Sequence, residues 1–322
     1  MKFKFKFLTF NIVIVVIVSI IILSEFTLRM IGLGDPLIYE PHQVWKYSLA
    51  QNQIKKRFKN NIVKINNAGL RGNREWVKSD EKLVLFMGDS VTYGGSRIDN
   101  KNLFSEKVCD QLGKNFICGN AGVNGYGILN IVLRSRYDDR IANADIVVFT
   151  IILDDFLRGL VDIKNLHYFT SPANKFLPAT EEVLNWIAWS YDINRYLKRI
   201  PPRKKNEMRK KTVQQIEKEY FDVTEFALDN LNKEILRLIS KKKEVFVFLS
   251  PSKKDVNDKN SEILKKIKQL VLSKTMNIYD MTTEFKKNKK NKIYMDDLHY
   301  DPYGHDFVSK IIYKQISKKI KK

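Results

Sequence analysis

Apolar residues along the chain fall into short uninterrupted runs that alternate with longer stretches of helical spacing. A continuous apolar run bounded by glycine or polar residues is typical of a strand buried on both faces of a sheet. Five such runs predict strands at 83–88, 116–120, 145–152, 244–250 and, more weakly, 277–281. The amphipathic stretches between and after them predict helices at 103–112, 128–141, 217–241 and 307–316. This alternation predicts a parallel sheet of about five strands with helices on both faces.

The N-terminal apolar run differs from the others because it is uncharged throughout residues 7–24. At about 1.5 Å per residue it would form roughly 27 Å of helix, close to the hydrocarbon thickness of a bilayer. Lys2, Lys4 and Lys6 precede the run and favour a cytoplasmic N-terminus, so that the rest of the chain is exported. A cleaved signal peptide is the competing interpretation, but the run is not followed by a small-residue cleavage site.

These patterns divide the chain into three parts. Residues 1–24 form a cytoplasmic stub and transmembrane anchor, 25–80 a juxtamembrane extension, and 81–322 the main domain. More than 90 residues separate the third and fourth predicted strands, which is too long for one crossover connection. The sequence therefore predicts an insertion at about 157–215, whose role as a roof over the site or as a membrane contact stays open.

Several shorter segments carry predictions of their own. Residues 61–65 have the composition of a strand, and 66–73 that of a turn-rich loop. We expect the whole extension, residues 25–80, to pack on the main domain. Within the insertion, 186–200 has the spacing of an amphipathic helix, and 198–211 is strongly basic. A basic run of this kind is most often a solvated face, and contact with an anionic glycan or lipid headgroups is the alternative.

Composition limits the classes of function. The chain of 322 residues has 57 basic and 36 acidic residues, a net charge of +21, and a hydrophobic content of 44%, which excludes disorder along its whole length. Basic charge is compatible with a polyanionic partner. Export of the main domain argues against nucleic acid, and the abundance of Lys, Asn and Ile indicates a general compositional bias.

The numbers of cysteine and histidine limit metal binding and cross-linking. Two cysteines exclude a disulfide-rich scaffold or a four-cysteine zinc site, and with four histidines we predict neither a metal nor a cofactor. Cys109 and Cys118 would be able to pair in an oxidising compartment. The sequence slightly favours two buried thiols instead.

Chemically useful residues follow the predicted strands, at the edge where ligands bind to open parallel sheets. Ser90 follows the first strand, Gly122 the second and Asp154 the third, and Asp296 and His299 precede the last helix. A serine hydroxyl is a nucleophile only when a base removes its proton, and a histidine oriented by a carboxylate is such a base. The backbone N–H groups of Ser90 and Gly122 would stabilise an oxyanion.

Each of these signals is weak alone. Ser90 by itself is more typical of a helix cap and His299 of a surface residue, whereas Asp89 fits a structural role in bonding backbone amides of its turn. Asp297 is the alternative carboxylate if the register of its loop differs. The signals gain weight because all of them fall in order at strand ends.

The ordered set resembles the SGNH/GDSL hydrolase family. The matching segments are FMGDSVTYGG, NAGVNGYG and DDLHYDPYGHDFVS, and the extension is similar to that of membrane-anchored bacterial members. The resemblance implies a three-layer α/β/α, flavodoxin-like fold. It also implies a catalytic triad of Ser90, Asp296 and His299, with Ser90, Gly122 and the residue at position 154 around the oxyanion.

One motif departs from the family pattern. Where the family has G-x-N-D, this chain reads Ile152-Leu153-Asp154-Asp155, so that Asp154 replaces an asparagine that donates a side-chain N–H. An ionised carboxylate has no proton to donate and repels an oxyanion, whereas a protonated Asp154 would still donate. Loss of one such donor typically lowers the rate by about 10²–10³.

The sequence therefore predicts a membrane-anchored, extracytoplasmic serine esterase that acts through an acyl-Ser90 intermediate on an ester, for example an acetyl ester. Its expected partners are an ester-bearing small molecule or an envelope glycan, with no nucleic acid. Two alternatives stay open: an O-acyltransferase that modifies an envelope glycan, and a catalytically degenerate domain with a binding or scaffold role.

Overall fold

The structure is a computed structural model that describes residues 2–163, 178–190, 213–288 and 292–320. The strands within these ranges are Tyr39–His42 (β1), Lys46–Leu49 (β2), Gln53–Arg57 (β3), Asn61–Ile65 (β4), Lys82–Gly88 (β5), Phe116–Asn120 (β6), Ile146–Ile151 (β7), Glu244–Leu249 (β8) and Ile278–Asp280 (β9). The α-helices are Lys2–Met30, Ser90–Tyr93, Phe104–Leu112, Ile128–Tyr137, Ala179–Ser190, Val213–Ser240, Lys253–Val256, Glu262–Lys274, Thr282–Lys287 and Pro302–Ile320. Short 3₁₀ turns lie at Asn100–Asn102, Asp139–Ile141 and Leu153–Phe156.

The main sheet has five parallel strands in the order β6-β5-β7-β8-β9. In chain order this is second, first, third, fourth, fifth, which is the flavodoxin-like arrangement, and helices cover both faces. The predicted three-layer α/β/α fold is therefore confirmed. The first strand of the sheet, β5, lies between β6 and β7, so the chain reverses direction across the sheet at β5. Crevices at such a reversal are where this class of sheet binds ligands.

Alternate side chains of β5 enter two separate hydrophobic cores. Leu83, Leu85 and Met87 pack in the core that includes the extension and the crossover helix Val213–Ser240. Val84 and Phe86 pack on the opposite face, in the core that includes the C-terminal helix. Both faces of β5 are thus buried, which explains why residues 83–87 are apolar without interruption.

The extension forms two antiparallel hairpins, β1 with β2 and β3 with β4. Of these strands the sequence predicted only β4, because the others have at most two apolar residues each, whereas β4 has three. The predicted packing of the extension on the main domain is observed. Arg71 pairs through its backbone with both Ile65 and Asn120, which joins the second hairpin to the edge strand β6.

The helices after the third sheet strand differ in part from the prediction. The crossover helix Val213–Ser240 is confirmed, and the last helix begins earlier than predicted, at Pro302, because proline is well tolerated in a first helical turn. The described helix Ala179–Ser190 overlaps only the start of the helix predicted at 186–200. The remainder of that prediction and the basic run at 198–211 lie outside the described residues.

Cys109 and Cys118 form a disulfide, with their Cα atoms 5.7 Å apart. The bond joins the helix Phe104–Leu112 to β6. The slight preference for two buried thiols is therefore wrong. Sequence spacing alone left the pairing open because it does not show that the helix runs back alongside the strand.

The N-terminal helix Lys2–Met30 contains an apolar stretch, Phe10–Met30, with a mean hydropathy of 2.5. Its length and composition are sufficient to cross a membrane, and a signal sequence has the same properties. No residue of this stretch is fully buried.

Candidate active site

The turn that follows β5, residues 88–93, presents Ser90 at the carboxyl edge of the sheet. A side chain at Gly88 would overlap Thr92 Oγ1 and the carbonyl of Thr150, so only glycine allows this close approach to β7. Asp89 accepts a hydrogen bond at 2.8 Å from the N–H of Val91 and caps the short helix Ser90–Tyr93. Asp89 therefore has the structural role that its sequence position predicts, and Ser90 is left half-buried at the start of the helix.

Three side chains form a continuous hydrogen-bonded chain at this edge. Ser90 Oγ lies 2.8 Å from Nε2 of His299, and Nδ1 of the same ring lies 2.7 Å from Oδ2 of Asp296. The other carboxylate oxygen of Asp296 accepts backbone N–H groups from Leu298 and His299, both at 2.8 Å. These backbone bonds hold the carboxylate against the ring.

The electrostatics of the chain suit a general base. Burial alone would raise the pKa of Asp296, but its hydrogen bonds to His299 and Leu298 lower it below the usual range, so the group is a carboxylate near neutral pH. Burial also acts to lower the pKa of His299, yet the hydrogen bond and the charge of Asp296 outweigh it and raise this pKa. With Asp296 ionised, Nδ1 carries a proton and Nε2 is free to accept the proton of Ser90.

The backbone of Gly122 does not match the predicted oxyanion donor. Its N–H donates to the side-chain oxygen of Asn120 at 2.9 Å, so the prediction of an unshielded N–H at this position is not met by the observed hydrogen bonds. Gly122 itself is required by packing, since a Cβ there would overlap the backbone N of Tyr93. The competing bond comes from a side chain only two residues earlier, a spacing at which asparagine commonly accepts a backbone N–H, so the sequence did contain a local signal for it.

Asp154 lies in the 3₁₀ turn Leu153–Phe156, directly after β7, as its sequence position predicts. It lines a small cleft of about 20 Å³ together with Leu298, the neighbour of His299, and with Ser252 and Asp255. Its neighbour Asp155 is fully buried and accepts a hydrogen bond from the N–H of Ile152 at 3.0 Å. The two aspartates therefore have different surroundings, with Asp155 forming part of the scaffold and Asp154 part of a cleft wall.

An ion cluster that the sequence analysis did not identify lies behind Ser90. Nη1 of Arg158 donates to Asp89 at 3.0 Å, to Asp155 at 2.9 Å and to the carbonyl of Tyr126 at 2.9 Å. Oδ2 of Asp89 is in turn 3.4 Å from Ser90 Oγ. One guanidinium thus faces two fully buried carboxylates, and burial together with the charge of Asp89 raises the pKa of Asp155 well above its usual value.

Two other polar residues missed by the sequence analysis fix the loops around the site. Asn120 donates to the carbonyl of Thr92 and to Ser105 Oγ, while its side-chain oxygen accepts the N–H of Gly122. Arg71 is fully buried and donates to Asn100 Oδ1 and to the carbonyls of Tyr93 and Gly95, each at 2.8 Å. A buried arginine in the NNAGLRGN segment carries no local sequence signal, because its partners are backbone carbonyls far along the chain.

A second histidine lies close to the site but does not belong to the hydrogen-bonded chain of Ser90, His299 and Asp296. His305 is fully buried and accepts a hydrogen bond from the N–H of Phe104 at 3.2 Å. Burial lowers its pKa to about 3, so it is a neutral, structural side chain.

A larger cleft opens beside the ion cluster. Its volume is about 310 Å³, and its walls are mainly apolar, from Leu129, Val223, Phe226 and Ala227, with Asp155 and Gly159 at one end. Among the described residues, no group of three or more His, Cys, Asp or Glu side chains is placed to hold a metal ion.

Neither a protein-family model nor a curated protein sequence matches the chain. Among solved structures, it is similar to a lipase/acylhydrolase from Enterococcus faecalis, with 12% identity, a TM-score of 0.41, and coverage of 74% of this chain and 96% of the other. It is also similar to a catalytic mutant of an acetylxylan esterase from Geobacillus stearothermophilus, with 14% identity, a TM-score of 0.41, and coverage of 75% and 96%.

A third similar structure is a member of the lipolytic protein G-D-S-L family from Veillonella parvula, with 13% identity, a TM-score of 0.34, and coverage of 71% and 94%. At such identities and scores the likeness does not bear on chemistry, which depends on the site itself.

Proposed function

We propose that this chain is a serine esterase of the SGNH/GDSL type that acts through an acyl-Ser90 intermediate. The observation that carries the proposal is the uninterrupted chain from Ser90 Oγ through His299 to Asp296, with contacts of 2.8 and 2.7 Å. Nucleophile, base and orienting carboxylate are each within hydrogen-bonding distance of the next, which is the arrangement that nucleophilic catalysis by serine requires.

The reaction follows from the protonation states. His299 Nε2 takes the proton of Ser90 Oγ as the oxygen attacks the ester carbonyl, and Asp296 stabilises the imidazolium that forms. The same imidazolium gives its proton to the leaving alcohol as the ester C–O bond breaks, which leaves Ser90 acylated. His299 then takes a proton from water, the resulting hydroxide attacks the acyl carbon, and the proton returns to Ser90 as the acid departs.

The oxyanion site is the unusual part of this proposal. The backbone N–H of Ser90 lies at the start of a short helix, but the N–H of Gly122 is bonded to Asn120 and position 154 carries a carboxylate. We therefore expect a lower kcat than that of an enzyme with all three oxyanion donors. Loss of the side-chain donor alone should lower kcat by about 10²-fold or more.

A non-enzymatic role is the second candidate. The lack of free oxyanion donors at Gly122 and Asp154 favours it. If the site cannot stabilise an oxyanion, the domain would bind an ester-bearing ligand without turning it over. Transfer of the acyl group to an envelope glycan instead of water uses the same acyl-Ser90 and is distinguished by the acceptor.

Membrane anchoring is part of the proposal. The helix Lys2–Met30 is apolar enough to cross a bilayer, and the lysines before it favour a cytoplasmic N-terminus. The disulfide between Cys109 and Cys118 supports an oxidising compartment for the rest of the chain. We propose a single-pass protein with an extracytoplasmic active site.

Replacement of one side-chain oxygen of Asp154 by an amide NH2 group tests the proposal. Asp154→Asn restores a side-chain N–H donor with almost no change in volume, so hydrolysis of p-nitrophenyl acetate should rise by about 10-fold or more over wild type. Asp297→Asn makes the same Asp-to-Asn change at a residue outside the proposed triad. It is the matched control and should leave the rate of hydrolysis within about 2-fold. Absence of turnover in wild type and in Asp154→Asn, with both proteins folded, would favour the binding role.

A further inference from the structure

The N-terminal helix is not followed by a free linker. Near its C-terminal end, Glu25 accepts hydrogen bonds from the backbone N–H groups of Ala179 and Thr180, at 2.9 and 3.0 Å. Arg29, one turn later, forms an ion pair with Glu25 at 2.7 Å. The first turn of the helix Ala179–Ser190 is thus attached to the last turns of the apolar helix, although they are more than 150 residues apart in the chain.

The same short helix is also attached to the extension. Glu182 accepts the backbone N–H of Gly34 at 2.7 Å and forms an ion pair with Arg57 at the end of β3. Gly34 packs so closely on Ala179 that a Cβ at Gly34 would lie 3.0 Å from the Cβ of Ala179. We call this set of contacts, made by Glu25, Gly34, Arg57, Ala179 and Glu182, the anchor joint.

The anchor joint fixes the level of the short helix relative to a bilayer. Residues 7–24 span about 27 Å, close to the roughly 30 Å of a hydrocarbon core, and a charged side chain such as Glu25 is costly any deeper. Glu25 therefore belongs at the hydrocarbon boundary, and its hydrogen bonds hold Ala179 at the same level. The helix Ala179–Ser190 therefore starts at the boundary between hydrocarbon and headgroups, and it is only about 18 Å long.

Exposed apolar side chains lie near Glu25 and Ala179 on both helices. Phe26 and Met30 on the apolar helix are 64% and 65% exposed, and Leu184 on the short helix is 64% exposed. Exposure of this kind is unfavourable in water and favourable in the interface between headgroups and acyl chains.

We propose that the helix Ala179–Ser190 lies in the lipid headgroup region and that the anchor joint holds the catalytic domain at a fixed height against the bilayer. The inference rests on the proposed membrane anchoring and is independent of the proposed esterase activity. It assigns the helix Ala179–Ser190 a lipid-facing surface.

Site-directed spin labelling of the full chain in phospholipid nanodiscs tests this proposal. Because the native cysteines are paired, a single introduced cysteine can be labelled: Leu184→Cys on the short helix and Leu236→Cys on the crossover helix, where the side chain is 52% exposed. Collisions with oxygen relative to a water-soluble nickel complex should be severalfold more frequent at position 184 than at position 236. Equal ratios at the two positions would overturn the proposal.

A third label separates the inference from the anchoring on which it rests. Ile17→Cys lies in the apolar helix, and its label should show the oxygen accessibility of the bilayer interior. If position 17 is in lipid while position 184 behaves like position 236, the anchor stands and the inference is wrong. If position 17 is in water, the anchoring and the inference both fail.

A joint variant tests the attachment itself. Glu25→Ala removes the acceptor for Ala179 and Thr180, so the label at position 184 should become more mobile and less exposed to oxygen. Glu181→Ala is the matched control, because Glu181 is an exposed acid on the same helix outside the anchor joint. Identical spectra in both variants would show that Glu25 does not hold the helix.

Discussion

At the scale of single residues, the site depends on how one carboxylate and one guanidinium are placed. Asp296 is bonded to two backbone N–H groups and to His299, and so it orients the ring that faces Ser90. Arg158 forms ion pairs with Asp89, the neighbour of Ser90, and with Asp155. The first interaction was predicted from sequence because D-x-x-H places both groups in one turn. The second includes Asp155, three residues before Arg158, but it also needs Asp89, which lies 69 residues away in the chain.

Replacement of Asp296 by asparagine should change both the rate and its pH dependence. Asp296 raises the pKa of His299, so wild-type kcat/KM should fall as pH drops through a value above the usual 6.5. Asp296→Asn removes that charge and favours the wrong tautomer, so the acidic limb should move to lower pH while kcat falls by about 10²-fold or more. Full activity with an unshifted pH profile would contradict the assigned role, and His299→Ala should abolish turnover.

Arg158 should act as a positioning residue for the turn that carries Ser90. Arg158→Met leaves the buried carboxyl groups of Asp89 and Asp155 without their cation, which should lower the free energy of unfolding by about 3–5 kcal/mol. The charged groups that face His299 are Asp296, Asp89 and Arg158, with neutral His305 nearby. Loss of the positive charge should therefore raise the pKa of His299 and move the acidic limb of kcat/KM to higher pH.

Two further variants separate this role from simple destabilisation. Arg158→Lys keeps the charge and should restore the position of the acidic limb. The double variant Arg158→Met/Asp155→Asn removes one carboxylate and should recover much of the stability. An unchanged pH profile in Arg158→Met would leave Arg158 with a purely structural role.

At the scale of elements, the site is built from loops at the carboxyl ends of β5, β6 and β7 and from the loop before the C-terminal helix. The strands were predictable because continuous apolar runs mark central parallel strands. Short half-polar strands such as β1 and β3 carry no such mark. The hydrogen bond from the N–H of Gly122 to the side chain of Asn120 is different, because it spans only two residues and an asparagine at that spacing is a local signal for it.

The disulfide should stabilise the edge of the sheet that supports this loop. It closes a short loop between the helix Phe104–Leu112 and β6, for which chain-entropy arguments give about 2–3 kcal/mol. The variant Cys109→Ser/Cys118→Ser should lose about that much free energy of unfolding in urea titrations, and reduction of wild type by dithiothreitol should have the same effect. A midpoint that is insensitive to reductant would show that the bond does not form in solution.

At the scale of the whole molecule, the parts predicted from sequence are those that depend on local pattern. The apolar N-terminal helix, the five parallel strands and the ordered motifs were all predicted from runs of neighbouring residues. The anchor joint depends on contacts between residues such as Glu25 and Ala179, and the core around Arg71 depends on carbonyls from several loops. Contacts of this type follow from the fold and have no counterpart in local periodicity.

The central claim is that Ser90 is an activated nucleophile, and reaction with a fluorophosphonate tests it most directly. The full chain in detergent is treated with the reagent beside Ser90→Ala, and intact-mass spectrometry counts the adducts. The account predicts one adduct on wild type and none on Ser90→Ala, because His299 removes the proton only from this hydroxyl. No adduct on folded wild type, or an equal adduct on the variant, would contradict it.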